Sequence, residues 1–510
     1  MTEKVRRLYQ QVWFLLPSGG AFTLYLFTMA PGVVGFDSAE LITGAFTLGI
    51  VHPSGYPLFL LLGKLFTFLP VGNVAYRLNV MSAFFAALAV CLMAILVYQW
   101  TGRRWVGIFS GMVLAGMISF WQMAVVTEVY SLHVFFLTLE MLLLLRWRQT
   151  EKIGWLDAFV FVYALSLTNH VSGVLFAPAF AWFVFKNAGW SALFRRVPLF
   201  FLFGMLGFSP YLYLPIRQMA QPSLDYVSSY YNIDLRTVSG LWWMISGQAY
   251  HFFAFSYNAA GYLREAGSFL NLLIRNVTIV GAALGIGGIL VMIRKRLPMR
   301  FALLLLFLAY AFFYIGYGVV DKATMFLPVF AVWVIWMGIG LDGLVRIGQE
   351  LLRRDFPHAS PLRVEFLIQA LTALFLTAIL MSNWGWADMS EAYAPEIFAE
   401  QVLLTIEDEA FIMGEWSSAV ILEYYQTVEG VRPDVEIFNR SRFQVAQYYQ
   451  FLEQDESPSE AAAVVYALEE AWIAMVAKDR PVYAVEYDPR LASSYEYQPV
   501  GNIYQLVPRY

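Results

Sequence analysis

Long apolar runs recur through the first three quarters of the chain, separated by short clusters of Lys and Arg or of Gly and Pro. A helix needs about 20 apolar residues to cross the hydrocarbon core of a bilayer. On that length the pattern predicts eleven spans, at roughly 12–34, 74–100, 105–121, 124–145, 155–168, 171–185, 197–216, 270–293, 300–319, 325–345 and 364–383. The fifth and sixth are short, with Asn169 and His170 in a tight turn between them. After residue 383 the pattern changes. Helical stretches ("AEQVLLTIED", "SEAAAVVYALEEAWIAMVA") alternate with strand-like ones ("AFIMG", "DVEIFN", "PVYAVEY"), which predicts a small α/β module. The expected division is a transmembrane domain, 1–383, and a water-soluble domain, 384–510.

Composition sharpens this picture. The chain is 59% hydrophobic and 14% charged, against about a quarter charged in soluble domains, so it reads as a polytopic α-helical membrane protein. The net charge of −4 conceals two opposed parts. Residues 384–510 hold 22 acidic and 7 basic side chains, whereas 1–383 hold 15 and 26. The basic excess gathers at alternate span ends: Lys4, Arg6 and Arg7; Arg103 and Arg104; Arg146, Arg148 and Lys152; Lys186, Arg195 and Arg196; Arg294, Lys295, Arg296 and Arg300; Arg346, Arg353, Arg354 and Arg363. By the positive-inside rule these ends are cytoplasmic. The N-terminus is then inside and the acidic C-terminal domain extracytoplasmic. Trp100, Trp105, Trp121, Trp147, Trp155 and Trp384 fall near span ends, as an interfacial belt should. The first apolar run is read as a retained helix rather than a signal peptide. With no sorting signal evident, a bacterial plasma membrane is the expected location. The single cysteine, Cys91, allows no intrachain disulfide.

Polar residues that interrupt apolar sequence are expensive in a membrane and point to function. In the orientation above they lie on the outer side. Asp37 and Glu40, three residues apart before the second span, share a face if Ser38 starts a helix, with Asp37 near its N-cap. Residues 38–48 read as a short amphipathic helix on the membrane surface. His52-Pro53-Ser54-Gly55-Tyr56-Pro57 forbids regular helix and predicts a rigid turn that holds Asp37 over a cavity. Glu128 and His133 ("TEVYSLH"), Asn169 and His170 ("LSLTNHVSG"), Arg217 ("YLYLPIRQ") and Asp321 with Lys322 ("VVDKATMFLP") complete the set. Each has a plainer reading: Asp37 and Asn169 as caps, Glu128 as a packing ion pair, His133 as a core histidine, Arg217 snorkelling to headgroups, Asp321 and Lys322 as solvated loop. Their convergence carries the case for a polar cavity. The long loop 218–269, rich in Tyr, Trp and Phe, reads as interfacial helices that cradle lipid or an extended acceptor. Glu415, Trp416 and Ser417 read as ordinary loop residues. There is no Cys cluster or His pair at metal-binding spacing, no Gly-rich phosphate loop and no basic nucleic-acid patch. No cofactor is expected; a divalent ion held by Asp37 and Glu40 stays open.

The stretches "FDSAELITGAFTLGIVHPSGYPL", "TEVYSLH", "LSLTNHVSGVLFAPA", "LYLPIRQMAQPSLDYVSS", "SGQAY" and "VEGVRPDVEIFN", in this order along the chain, resemble glycosyltransferase family 117. This membrane family was long called domain of unknown function 2723 and includes an animal protein O-mannosyltransferase. The resemblance implies a GT-C-like architecture and a sugar taken from a polyprenyl-phosphate carrier on the outer or lumenal face. It implies a membrane-lipid environment and a protein, lipid or glycan hydroxyl as acceptor. It places Asp37 at the superfamily's catalytic acid of the first external loop, with Glu40 as the second acid of the same motif.

An inverting transfer needs a base for the acceptor hydroxyl and cations for the leaving phosphate. Asp37, aided by Glu40, is the expected base. Arg217 is the first-choice phosphate contact, then Lys322 and His170, with His52, Tyr56, Glu128, Asn169 and Asp321 lining the substrate site. The rival readings are a transporter or flippase for lipid-linked substrates and a non-catalytic subunit of a membrane complex. Transport is disfavoured because neither an internal repeat nor deep charges on the cytoplasmic half stand out.

Overall fold

The computed structural model describes residues 14–319, 322–356, 362–452 and 458–509. A described helix corresponds to each of the eleven expected spans, but only six are long and apolar enough to cross a membrane alone. They are Val74–Thr101, Tyr130–Thr150, Leu193–Met219, Ala259–Arg294, Thr324–Asp355 and Leu362–Ala387, with Arg104–Gly116 and Ile118–Ala124 as a seventh span bent by 71°. Gly154–Leu167, Val171–Asn187 and Arg300–Ile315 are shorter apolar helices. Hydropathy measures apolar length and is blind to backbone breaks, so several of the expected spans take the form of shorter or bent helices.

The bent span shows how such a break is tolerated. Met117 is extended between its two halves. Asn383 Nδ2 donates to the Gly116 carbonyl (2.8 Å), and Asn276 Oδ1 accepts from the Ser119 amide (3.0 Å). Backbone groups freed from the helix ladder are satisfied by side chains of other helices, as a lipid environment requires. The Ala259–Arg294 and Thr324–Asp355 helices pack backbone to backbone. A Cβ on Gly288 would fall 1.8 Å from the Trp336 carbonyl oxygen, and one on Gly340 2.0 Å from that of Leu284. Small residues permit this approach, which dispersion between apolar helices in lipid rewards.

The chain folds as two compact units, each built from separated stretches: Met1–Met29, Val80–Tyr211 and Tyr250–Met389 in one, and Ala30–Asn79, Leu212–Ala249 and Ser390–Tyr510 in the other. The sequence places a single boundary at 383/384. In the structure the second unit joins the C-terminal stretch with the first loop and with 212–249, two segments far from it in sequence.

The second unit contains a five-stranded mixed sheet of order β2-β1-β3-β5-β4, with β1 Phe411–Gly414, β2 Glu436–Asn439, β3 Val482–Ala484, β4 Tyr495–Val500 and β5 Ile503–Pro508. β1 runs parallel to β2 and β3, and β5 antiparallel to β3 and β4. Phe411, Met413, Val482, Ala484 and Leu506 from the strands bury against Ile473, so the α/β module expected from the alternating pattern is present. The Asp37–Thr47 helix lies in the same unit, packed against Trp416–Thr427 and Pro57–Phe66. Every residue from Ser38 to Ala45 is buried, which corrects the expectation of an amphipathic helix on the membrane surface. Small residues make this possible: a Cβ on Gly44 would meet Val51 at 2.4 Å. Leu41 and Ile42 are wholly enclosed, each worth about 1.5–3 kcal/mol.

Candidate functional site

The Asp37–Thr47 helix carries its two acids in its first turn, where the helix dipole favours negative charge. Asp37 is the first helical residue, one position after Phe36, which stands at the N-cap with φ 61°. The far end of the helix is closed by cations. Lys64 Nζ donates to Phe46 O (2.5 Å), and Arg217 donates to Leu48 O (2.6 Å) and Thr47 O (3.3 Å). Eleven residues at 1.5 Å per residue put those carbonyls about 15 Å from Asp37. Arg217 thus stands at the opposite end of the helix and is not brought beside the carboxylates.

After this helix the chain turns through the His-Pro segment. Gly55 N donates to His52 O (2.9 Å), Tyr56 takes a left-handed conformation, and Pro57 opens the next helix. The turn brings Tyr56 Oη within 3.0 Å of His52 Nε2. His52 reaches back to the acids: its Nδ1 lies 2.5 Å from Glu40 Oε2, its amide donates to Glu40 Oε1 (3.1 Å), and its Nε2 is 3.8 Å from Asp37 Oδ2. The two carboxylates are placed differently. The Glu40 side chain is fully buried, whereas that of Asp37 is 37% exposed. Asp37, Glu40, His52 and Tyr56, all singled out from the sequence, therefore form one cluster.

A buried guanidinium completes it. β2 ends at Asn439, whose Oδ1 accepts from the Arg442 amide in the first turn of the Arg440–Leu452 helix (3.2 Å). Arg442 Nη2 lies 3.5 Å from Glu40 Oε1, and its Nη1 donates to both Glu423 oxygens (2.8 Å each). Its guanidinium faces the rings of Trp416 (4.9 Å) and Tyr226 (5.4 Å), and both rings also flank His52. Asp225 caps the short Tyr226–Tyr230 helix, and hydrogen bonds of Ile50 with Leu224 and Tyr226 hold this segment against the first loop. Trp416 is thus part of the cluster, contrary to its reading as an ordinary loop residue. Arg442 and Glu423 were missed altogether. A signal existed: Arg440 and Arg442 follow a strand-like run in a module with only 7 basic residues.

Burial pushes the Glu40 carboxyl up, but the charge of His52, its hydrogen bonds and the Arg442 guanidinium outweigh it, so Glu40 titrates below the ordinary glutamate range. Burial raises Glu423 above that range. Burial also works against the charge on Arg442, yet Glu423 and Glu40 hold it protonated. A carboxyl with a depressed pKa stabilises the fold fully above its unfolded value, about 4.3, and the contribution is lost as the pH falls through the lower folded value. Glu423 acts in the opposite sense, opposing the fold as it ionises. The melting temperature should fall between about pH 5 and pH 3, and Glu40→Gln should shrink that fall. An acid limb of unchanged size in the variant would remove Glu40 as a source.

One ligand atom each from Asp37, Glu40 and His52 lie within 4.8 Å of one another, close enough to share a divalent ion. Against this, Glu40 already contacts His52 and has the Arg442 cation 3.5 Å away, so a second cation would meet like charge.

The remaining predicted residues belong to the first unit. Glu128 exchanges backbone hydrogen bonds with the Ser82 hydroxyl in the break before the Tyr130–Thr150 helix. Asn169 is buried and donates to Val129 O (3.3 Å). His170 Nδ1 lies 2.7 Å from Ser172 Oγ, which also meets His133 Nε2 (3.3 Å) and Tyr310 Oη (2.9 Å). His133 and His170 thus join a buried polar cluster. Lys322 pairs with Glu265 (2.9 Å) and donates to Tyr317 O (2.9 Å), so its charge is already compensated. Asp321 lies outside the described residues. Glu140, not singled out in the sequence, is fully buried midway along the Tyr130–Thr150 helix.

Residues 37–192 match the family described as the protein O-mannosyl-transferase TMEM260 N-terminal domain. The chain is 29% identical over 460 residues to the protein O-mannosyl-transferase TMEM260 of Mus musculus, an alignment covering 82% of this chain and 61% of the mouse protein. It is 30% identical over 211 residues to tmem260 of Dictyostelium discoideum, covering 38% of this chain and 26% of that one. The chain therefore spans at most about three fifths of the length of these relatives. Among solved structures it is similar to ArnT from Cupriavidus metallidurans bound to undecaprenyl phosphate, with a TM-score of 0.60, 14% identity and 97% of each chain covered. The apo form gives 0.57, 12% and 98% of each. At such identity the likeness is one of fold, and it bears out the GT-C-like architecture of a multi-pass membrane protein.

Proposed function

We propose that this chain is a membrane glycosyltransferase that moves a sugar from a polyprenyl-phosphate donor to a hydroxyl of a protein or glycan acceptor. The observation that carries the reading is the division of labour between the two acids. Asp37 is accessible at the head of a buried helix, while Glu40 behind it is enclosed by His52 and Arg442. The relatives named O-mannosyl-transferase and the ArnT structure with its undecaprenyl phosphate support the same class of reaction.

In this mechanism the acceptor hydroxyl gives its proton to Asp37 as its oxygen attacks C1 of the sugar. The bond from C1 to the carrier phosphate breaks on the opposite face, so the configuration inverts. Glu40 does not touch substrate. It fixes the orientation of His52, whose Nε2 side faces Asp37 and Tyr56, and so keeps Asp37 aimed. The site faces the outer side of a bacterial plasma membrane, with the N-terminus cytoplasmic. Incubating membranes that contain the chain with a panel of polyprenyl-phosphate sugars should yield, by mass spectrometry, a product heavier by one sugar with one of them. No donor-dependent product across hexose and aminosugar donors, with the protein folded, would overturn the reading.

Two narrower outcomes follow. Because Arg442 already supplies the cation beside Glu40, a chelator should leave turnover within about two-fold, whereas metal-dependent catalysis would lose orders of magnitude. A loss of that size would place a divalent ion on Asp37 and His52. Arg217 closes the helix end, so Arg217→Met should lower stability by about 1 kcal/mol and leave donor KM unchanged. A KM raised with no change in melting temperature would return Arg217 to the donor phosphate.

A further inference from the structure

A cavity of about 610 Å³ opens among helix ends that carry two of the arginine clusters. Its walls come from the last turn of Tyr130–Thr150 (Trp147, Arg148), from Glu151 beyond it, from Asn187 at the end of Ala177–Asn187, and from Arg195 and Arg196 in the Trp190–Phe208 helix. It shares no residue with the Asp37 cluster. Three arginines face one acid, so the lining is cationic. Two of the guanidinium groups are held in place: Arg148 Nε donates to Asn187 Oδ1 (2.8 Å), and Arg196 Nη1 pairs with Asp157 (3.3 Å). Each keeps further N–H donors unspent, since a guanidinium has five. Arg195 is exposed and has no partner among the described residues.

The setting is that of a membrane interface. The apolar stretches of these helices end at the cavity, and Trp147 and Trp190 stand at its rim or beside it, Trp190 being 61% exposed and stacked on Phe185 at 5.1 Å. Amphipathic aromatics collect where hydrocarbon meets headgroup. Planar guanidinium forks match phosphate oxygens, and basic pockets between helices at that depth suit anionic headgroups. Interior packing needs no such concentration of like charge around a void.

We propose that this cavity binds the phosphate of an anionic phospholipid headgroup. Inorganic phosphate shares the chemistry, and the experiment separates the two. The purified full chain is exposed to equal amounts of phosphatidylglycerol and phosphatidylcholine in detergent, and retained lipid is counted by native mass spectrometry. Phosphatidylglycerol should be held preferentially. Each arginine near a charged lipid contributes about five-fold, so Arg148→Gln with Arg195→Gln should weaken retention by about 25-fold, with sugar transfer unaffected. Both side chains are exposed; should the pair fail to fold, Arg195→Gln alone gives the five-fold test. Equal retention of the two lipids, or retention unchanged in a folded variant, overturns the proposal. So does thermal stabilisation of the wild type by inorganic phosphate without lipid preference, which would assign the cavity to free phosphate.

Discussion

Asp37→Asn should abolish sugar transfer while leaving the protein folded. The amide keeps the size of the carboxylate but cannot take the acceptor proton, and loss of a general base costs about 10²–10⁴ in rate. Folding is insulated because the side chain is 37% exposed and approaches His52 only to 3.8 Å. The expected result is a collapse of kcat with the donor KM and the melting temperature near wild type. Comparison with His52→Gln sharpens the assignment. Glutamine should lose part of the rate by letting Asp37 drift, with a shifted pH profile. Near wild-type turnover in Asp37→Asn together with complete loss in His52→Gln would move the base to the Glu40–His52 pair. Near wild-type turnover in both would remove this cluster from the chemistry.

The second large effect concerns Arg442, whose side chain is almost wholly enclosed. Arg442→Met removes the counter-charge from Glu40 and Glu423, both of which it contacts while its own side chain is only 2% exposed. Breaking a buried ion pair by deleting one partner costs about 3–5 kcal/mol. At about 2–4 °C per kcal/mol for a unit of this size, the melting temperature should fall by roughly 10 °C, and transfer with it. Removing the stranded charges should restore stability: Arg442→Met with Glu40→Gln and Glu423→Gln replaces the ion triad by neutral groups, which is often near neutral in free energy. The triple variant should melt near wild type yet remain slow, because Glu40 no longer orients His52. A single variant as stable as wild type would show that the triad carries no strain of uncompensated charge. A triple variant with full turnover would remove Glu40 as a positioning residue.

These two predictions differ in how far they could be read in advance. Asp37, Glu40, His52 and Tyr56 sit within twenty consecutive residues, and their local chemistry suffices: two acids at helical spacing, then breakers that force the chain back. The helix was expected at 38–48 and is found at Asp37–Thr47. Arg217 was visible as a cation at a span end, but not what it faces, and the structure turns it to the carbonyls of Thr47 and Leu48. Lys322 was visible, and its partner Glu265 was not.

The sequence by itself determined a polytopic membrane chain, the approximate position of its helices, the change to an α/β module after residue 383 and the acid-rich motif of the first loop. Each of these depends on the energetics of short consecutive stretches, where apolar length and local turn chemistry act directly. The tertiary structure alone decided that Glu40 is enclosed while Asp37 is open, and that Arg442, some 400 residues away, adds its charge to that of His52 in keeping Glu40 ionised. Burial and Coulomb interaction depend on distance in space, and β2, β1 and the helix after β2 set that distance through pairings far apart in the chain.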